Sequence, residues 1–462
     1  MVARYRGIAG DGAAFAAALG EPLPVCLWAN PLRAGPEELA HLLDDEELSA
    51  EPVGWHAGAF RLPADARPGL SWLYRAGLMQ IQEEAALISV RLLDPRPGDR
   101  ILDLCAAPGN KTAQIAVALG NRGTVIANDP IIGRLAPLHA AIARLGLVNV
   151  TTTAQDGRTY PTAPGSFDRV LVDAPCSGEG TVRKGLGSHR PMSDGFRAWL
   201  TGLQQALLRR AVDLCRPGGR IVYSTCTFAP EENEAVVDAV LRECGDAVRV
   251  AAVPVDGLPV APGLTGWRSA RFSQALGGAI RLWPHRADTG GFFAVALERT
   301  GGIANVQEPP ARPAARPEEP ALLERFAAHY GLPEAAFADL DIVRVGHRLR
   351  VCAADHRPPA RPPPVATGLL LTRDKAAQPK LSTQAALAFG RAARRNVVDL
   401  SRDEIERYLG RVELAVDAGR LLSCDGPGPV LVRHRGHTLG VATLRRHGGG
   451  WALESLFPRR WG

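Results

Sequence analysis

Between residues 100 and 227 the chain repeats one pattern: a short apolar run, an abrupt stop on polar or glycine residues, then a helical segment. Its sharpest instance is Val170-Leu-Val-Asp-Ala-Pro-Cys-Ser-Gly-Glu-Gly180. Val170 to Val172 suit a strand buried on both faces, as in a parallel sheet. Asp173, Cys176 and two glycines then fall at its carboxyl end, where open α/β sheets hold their ligands. By itself Cys176 reads equally well as a small buried hydrophobe. An earlier unit, Arg100-Ile-Leu-Asp-Leu-Cys105, runs into Ala106-Ala-Pro-Gly-Asn-Lys-Thr112 and an amphipathic helix whose amino end faces the ligand side. The turn is neither G-x-G-x-x-G nor G-x-x-x-x-G-K-[ST], which disfavours a nicotinamide dinucleotide and excludes a P-loop.

The next strand, Thr124 to Asn128, ends on Asp129, twenty positions after Gly109. That is the usual place for an acid that binds ribose hydroxyls, the favoured reading over a simple helix N-cap. A third unit, Val150-Thr-Thr-Thr-Ala-Gln-Asp156, also ends on a carboxylate, and Asp103 adds a polar group inside the first strand. After a helix around Trp199 to Leu214 comes Pro217-Gly-Gly-Arg-Ile-Val-Tyr-Ser-Thr-Cys-Thr227. A right-handed crossover between parallel neighbours would bring Cys226 to the same sheet edge as Cys176. Strands alternating with helices make this an α/β, Rossmann-like fold.

A chain of 462 residues exceeds one ordinary domain. Hydrophobic residues at 46% and charged residues at 22% are close to a soluble average, and no apolar run is long enough to span a bilayer. The amino terminus fits a secretory signal poorly, so a cytoplasmic protein without membrane contact is expected. None of the eight cysteines forms a C-x-x-C pair, and no metal is expected. The net charge of +6 suits a polyanionic partner without requiring one. Only four lysines (111, 184, 375 and 380) stand against fifty arginines, and two of them lie inside the motifs.

Leu102-Asp-Leu-Cys-Ala-Ala-Pro-Gly-Asn-Lys-Thr112, Val172-Asp-Ala-Pro-Cys-Ser-Gly-Glu-Gly180 and Ser224-Thr-Cys-Thr227 together resemble the Sun/Nop RNA cytosine-C5 methyltransferases over residues 70 to 300. The resemblance implies a class I methyltransferase core and S-adenosyl-L-methionine as cofactor. It implies binding of that cofactor by Cys105, Ala106, Ala107, Pro108, Gly109, Lys111, Asp129, Arg134, Asp156 and Asp173. It also implies Cys226 as nucleophile toward cytosine C6, Asp173 as the group facing N3, Cys176 in product release and Lys111 in support. Asn110 departs from the commoner glycine or serine, and Asp129 from a frequent glutamate.

Four segments are expected: an α+β RNA-contacting region over 1–75, the methyltransferase domain over 76–300, a proline-rich linker over 301–320, and a C-terminal α+β region over 321–462. In the first, Arg33, Arg61, Arg67 and Arg75 interleave with Trp28, Trp55, Trp72 and Tyr74, a pattern suited to RNA or to an ordinary core. Met79 to Leu93 has helical apolar spacing. The last region resembles the PUA-like extension of the RsmF-type enzymes, with Arg433, His434, Arg435, His437, Arg445 and Arg446 as its basic cluster. The partner implied is RNA, 16S ribosomal RNA or the small subunit by preference, bound by a monomer. The rivals are a tRNA enzyme of the same chemistry, a non-catalytic assembly factor and a DNA cytosine methyltransferase.

Overall fold

The computed structural model describes residues 1–185, 192–302, 318–373 and 378–459. Most of the proline-rich linker and Lys375 lie outside the described residues. The core is a ten-stranded sheet. Its chief strands are β1 (Arg100–Asp103), β2 (Thr124–Asn128), β3 (Val150–Thr153), β4 (Phe167–Asp173), β5 (Cys215–Thr225), β6 (Ile280–Leu282) and β7 (Phe292–Arg299). They lie in the order β6-β7-β5-β4-β1-β2-β3. The five strands from β1 to β5 are mutually parallel, and β7 enters antiparallel to β5. The crossovers are α1 (Asn110–Ala118), α2 (Leu135–Leu145) and α3 (Asp194–Leu214), and α4 (Glu234–Cys244) follows β5.

From β1 the chain moves outward to β2 and β3, then returns to place β4 and β5 on the other side. The order therefore reverses between β1 and β4, and a crevice opens beyond their carboxyl ends. Asp103 and Asp173 end these two neighbouring strands. Val170, Leu171 and Val172 are fully buried, as a strand covered on both faces requires. Gly109, at φ +112°, makes the turn into α1; a Cβ there would lie 2.8 Å from the Leu138 Cα on α2, so glycine lets the two helices close beside the crevice.

The flanking regions pack onto the core on both sides of the expected boundaries. An antiparallel sheet of Val25–Ala29, Glu51–Pro52 and Ala59–Leu62 takes its last strand from Met79–Ile81, beyond residue 75. The helical spacing of Met79 to Leu93 resolves into that strand, a 3₁₀ turn over Glu84–Leu87 and a helix over Ile88–Leu93. Pairing of Leu27 with Ile81 and of Ala29 with Met79 prevails over local spacing. Two helices, Val2–Ala9 and Gly12–Gly20, precede the sheet and pack Tyr5 and Phe15 against Phe228 and Trp283 of the catalytic domain.

The C-terminal region is not a separate body either. Its Ala366–Thr367 pairs antiparallel with β3 and extends the central sheet, while His356 is buried with Nε2 2.7 Å from the Thr151 hydroxyl. Its five-stranded sheet, Val397–Asp399, Gly428–His434, His437–His447, Gly450–Ser455 and Leu414–Val416 in that order, packs Val398, Tyr408 and Leu439 into one core with Leu39, Leu42 and Trp72. The first and last regions therefore share a hydrophobic interior.

Candidate active site

Two loops meet at the crevice. One follows β4 and carries Cys176; the other follows β5 and carries Cys226. Backbone bonds join them: Ala174 N–H donates to Ser224 O at 2.9 Å, and Gly180 N–H donates to Cys226 O at 2.9 Å. Gly291 N–H donates in turn to Gly180 O at 2.9 Å. The three segments pass so closely that a Cβ on Gly180 would sit 2.1 Å from the Gly291 carbonyl oxygen.

This arrangement holds the Cys176 and Cys226 sulfurs 3.5 Å apart. Both thiols are partly buried and share their protons unequally. The Cys226 thiol is drawn below its ordinary value, first by the hydrogen bond from Cys176 and then by the Lys111 and Lys184 charges, against burial and the Asp173 charge. Cys176 is pushed up, by that same bond and by burial. Cys226 is thus the sulfur that carries negative charge more readily.

Lys111, at the start of α1, donates from Nζ to Asp173 Oδ2 at 2.7 Å, and Ser224 Oγ donates to Asp173 Oδ1 at 2.9 Å. Lys111 thereby holds one Asp173 oxygen and Ser224 the other. Burial alone would lower its ammonium group, but the Asp173 charge and hydrogen bond outweigh burial and hold it raised. Asp103 lies beneath, receiving Thr112 Oγ1 at 2.6 Å on one oxygen, while its other, buried oxygen has no partner among the described residues. Burial pushes its carboxyl up to about 7.

Around the other side of the crevice lie Cys105 and the Ala106-Ala107-Pro108-Gly109 turn, with a cis bond at Ala107–Pro108. Ala106 N–H donates to Asn128 O at 2.7 Å. Asp129 is almost wholly buried; it accepts from Ile131 N–H at 3.0 Å and pairs with the half-exposed Arg134, 3.0 Å away. Asp156 caps a 3₁₀ turn through Arg158 N–H and pairs with the Arg158 guanidinium, which lowers its carboxyl. Both acids therefore combine a capping bond with an arginine partner. Asn110 Oδ1 accepts from Gln80 Nε2 at 2.7 Å, which ties the cofactor-side turn to the N-terminal sheet.

Several bracing residues were not singled out from sequence. Glu232 Oε2 accepts from Ser177 N–H at 2.8 Å and from Gln204 Nε2 at 3.1 Å, while the same Gln204 amide donates to Pro175 O at 2.9 Å. Ser177 and Thr227 hydroxyls lie 2.6 Å apart, Thr227 donates to Glu179 at 3.3 Å, and Tyr5 donates to the same Glu179 oxygen. Buried Arg183 donates to Glu21 O, Pro22 O, Thr289 O and Asp288. Glu231-Glu-Asn-Glu234 has the acid-rich composition of a helix start, yet its Glu232 turns back into the site.

Most of the arginine-aromatic pattern of the first region is engaged within the fold, while Arg67 stays exposed. Trp28 is buried and bonded to Gln82, Trp72 is buried and bonded to Glu46, and Trp55 and Arg61 both donate to Glu84. Arg33 is buried. The C-terminal basic cluster is likewise consumed: Arg433 pairs with Asp399, Arg435 with Asp45 and Arg445 with Glu413. His434 and His437 are buried against the Trp72 ring, and Arg446 lies over Trp451. Arg435 and Arg445 nevertheless remain about half exposed beside their partners.

A doubly wound sheet with a strand-end acid pair, a glycine turn and two apposed thiols defines an α/β methyltransferase of the two-cysteine type. Residues 90–298 match the family profile described as 16S rRNA methyltransferase RsmB/F. The ribosomal RNA small subunit methyltransferase F of Aeromonas salmonicida is 30% identical over 460 residues, covering 92% of this chain and 89% of the relative. That of Erwinia tasmaniensis is 36% identical, covering 62% of this chain and 60% of the relative, so the matched part spans about three fifths of that protein. The tRNA (cytosine(49)-C(5))-methyltransferase of Pyrococcus abyssi is 35% identical, covering 65% of this chain and 95% of the relative. Among solved structures, a methyltransferase homolog from Pyrococcus horikoshii superposes with TM-score 0.57 at 30% identity, covering 64% of this chain and 93% of that one. The chain belongs to the RsmB/F family of RNA cytosine-C5 methyltransferases.

Proposed function

We propose that this protein methylates cytosine C5 in RNA, preferentially 16S ribosomal RNA, using S-adenosyl-L-methionine. The observation that carries the reading is the 3.5 Å thiol pair beside the Lys111–Asp173 pair at one crevice. Cytosine C5 is too weak a carbon nucleophile to attack a methyl donor unaided, so a thiolate must first add at C6. Cys226, the sulfur with the lowered thiol, forms that S–C6 bond. Asp173, steadied by Lys111 and Ser224, faces N3, and a proton shared with Lys111 offsets the charge that addition pushes into the ring. When bound, the cofactor supplies an electrophilic methyl group to C5. The C5 proton then passes to solvent water, its C–H electron pair re-forms the C5=C6 double bond, and the S–C6 electron pair leaves with Cys226. The Cys176 S–H stabilises that departing thiolate through the hydrogen bond it already makes.

The residues of the crevice suit the cofactor. Asp129 is a buried acceptor for ribose hydroxyls once the half-exposed Arg134 turns aside, and Asp156 lies toward the adenine side. The Cys105 to Gly109 turn lines the approach, and the partnerless oxygen of Asp103 is an acceptor placed for a cationic group. A base within a duplex cannot reach such a crevice, so the target must be unpaired or flipped out. The C-terminal region is proposed as a PUA-like RNA-binding unit of a monomeric cytoplasmic enzyme, acting through surfaces other than the paired 433–446 cluster. A tRNA substrate is the second reading, favoured by the Pyrococcus abyssi relative, of which 95% is covered.

Transfer of labelled methyl groups to 16S rRNA and to tRNA, with bisulfite sequencing of the product, tests both readings. Cys226→Ala is expected to abolish transfer; a full rate in that variant refutes the nucleophile assignment. Labelling of DNA but not RNA refutes the substrate class.

A further inference from the structure

We propose that Phe196 and Trp199, in the first two turns of α3, are a stacking platform for an unpaired nucleobase adjacent to the one that enters the site. The proposal rests on the RNA reading above. Helix α3 runs from the carboxyl end of β4 to the amino end of β5, which places its first turns at the rim of the crevice. Gln204, five residues after Trp199 or about 7.5 Å of helical rise, touches Pro175 next to Cys176.

The rings lie 5.5 Å apart at an interplanar angle of 31° and are 49% and 57% exposed. They extend one apolar stripe, Phe196, Trp199, Leu203 and Leu207, at helical spacing. Leu207 is buried, Leu203 is half-buried, and the two aromatics emerge where the helix rises past the sheet. Ser193 accepts from Phe196 N–H at 3.2 Å and fixes this end of the helix. The aromatics that the sequence singled out farther upstream, Trp28 and Trp72, are by contrast buried.

A cation accompanies the platform. Lys184 is exposed, ends the 3₁₀ turn that follows the Cys176 loop, and lies near enough for its charge to act on Cys226. Arg197, between the two rings in sequence, keeps its Nη1 buried and lies near enough to Glu231 for its charge to act there, so the cation open to a phosphate is Lys184. Exposed flat rings on a helix that starts at the rim, with an exposed lysine ending the turn after the Cys176 loop, match single-stranded nucleic acid, whose bases stack and whose phosphates pair with Lys and Arg. An apolar protein partner would not need that lysine.

The test uses the full chain with Phe196→Ala/Trp199→Ala and Phe196→Leu/Trp199→Leu double variants. The leucine pair keeps an apolar helix but removes the π faces. Both are expected to bind a single-stranded, cytosine-free oligoribonucleotide about tenfold or more weakly by fluorescence anisotropy. Both should raise KM for a cytosine-containing strand by a similar factor with kcat nearly unchanged, and Phe196→Tyr/Trp199→Phe should behave as wild type. Wild-type binding and KM in the leucine pair overturn the proposal and identify the patch as a protein contact or a packing feature. If wild type binds the strand and the leucine pair does not, while neither methylates any RNA, the platform stands and the activity reading fails.

Discussion

Replacing Cys176 by alanine separates its two proposed contributions. In the structure its S–H is the first cause of the lowered Cys226 thiol, across 3.5 Å. Hydrogen bonds to charged acceptors contribute about 1.5–3 kcal/mol, and S–H is a weak donor. Its loss should therefore destabilise the Cys226 thiolate by about the lower end of that range and raise its thiol. The same substitution removes the group that stabilises the departing thiolate, so the covalent RNA adduct should accumulate and migrate as a retarded band on a denaturing gel. The rate of adduct formation in single turnover, followed against pH, should show a higher midpoint in Cys176→Ala than in Cys176→Ser, whose hydroxyl keeps a donor. Coincident midpoints would refute the hydrogen-bond account, and absence of adduct in Cys176→Ala would refute the release role.

Three further outcomes follow from the same contacts. Lys111→Met leaves Asp173 without its cation and should slow single-turnover methyl transfer by about 10²-fold or more, while Lys111→Arg should not restore it, because a planar fork does not replace a compact ammonium. Gly180→Ala drives a Cβ into the Gly291 carbonyl at 2.1 Å and should cost about 3 kcal/mol or more, read as a lowered Tm. Asp103, pushed up to about 7 mainly by burial, should add stability that is fully present below about pH 4 and is lost as pH rises through about 7. The loss should reach up to about 4 kcal/mol. Denaturant unfolding of Asp103→Asn at pH 5 and pH 8 should show a smaller decline than wild type, and equal declines would contradict the assignment.

The catalytic strands were legible because their information is local. A short run buried on both faces must be apolar throughout, and its abrupt end on Asp173 or Cys226 marks the sheet edge without any long-range contact. The meeting of Lys111 with Asp173 required only the order of β1 and β4. The flanks were illegible for the opposite reason. Trp72 in the core with Leu439, or Arg435 on Asp45, joins residues more than three hundred positions apart, and an arginine that pairs across domains reads in sequence like one awaiting a phosphate. Met79 to Leu93 has spacing compatible with a helix, and only the partner strand containing Leu27 selects the extended form.

The bracing acids show where residue type alone stops carrying information. Glu179, Glu231, Glu232 and Glu234 read as solvated charges or helix-opening acids, yet each is directed to a different partner. Glu234 pairs with buried Arg281, Glu231 with Arg4 and Trp267, Glu232 with the Cys176 loop, and Glu179 with Thr227 and Tyr5. The last of these connects the active site to the first helix of the chain. From Tyr5 the path runs through Glu179 to Thr227, one residue after Cys226, then across to Ser177, one residue after Cys176, and on to Glu232. Each cysteine is thus followed immediately by a hydroxyl in one network that spans both loops. The separation of the sulfurs is set by those hydroxyls and their acids, not by contacts of the thiols alone. The Val170 to Gly180 stretch therefore supplies Cys176 and half of the frame that positions Cys226.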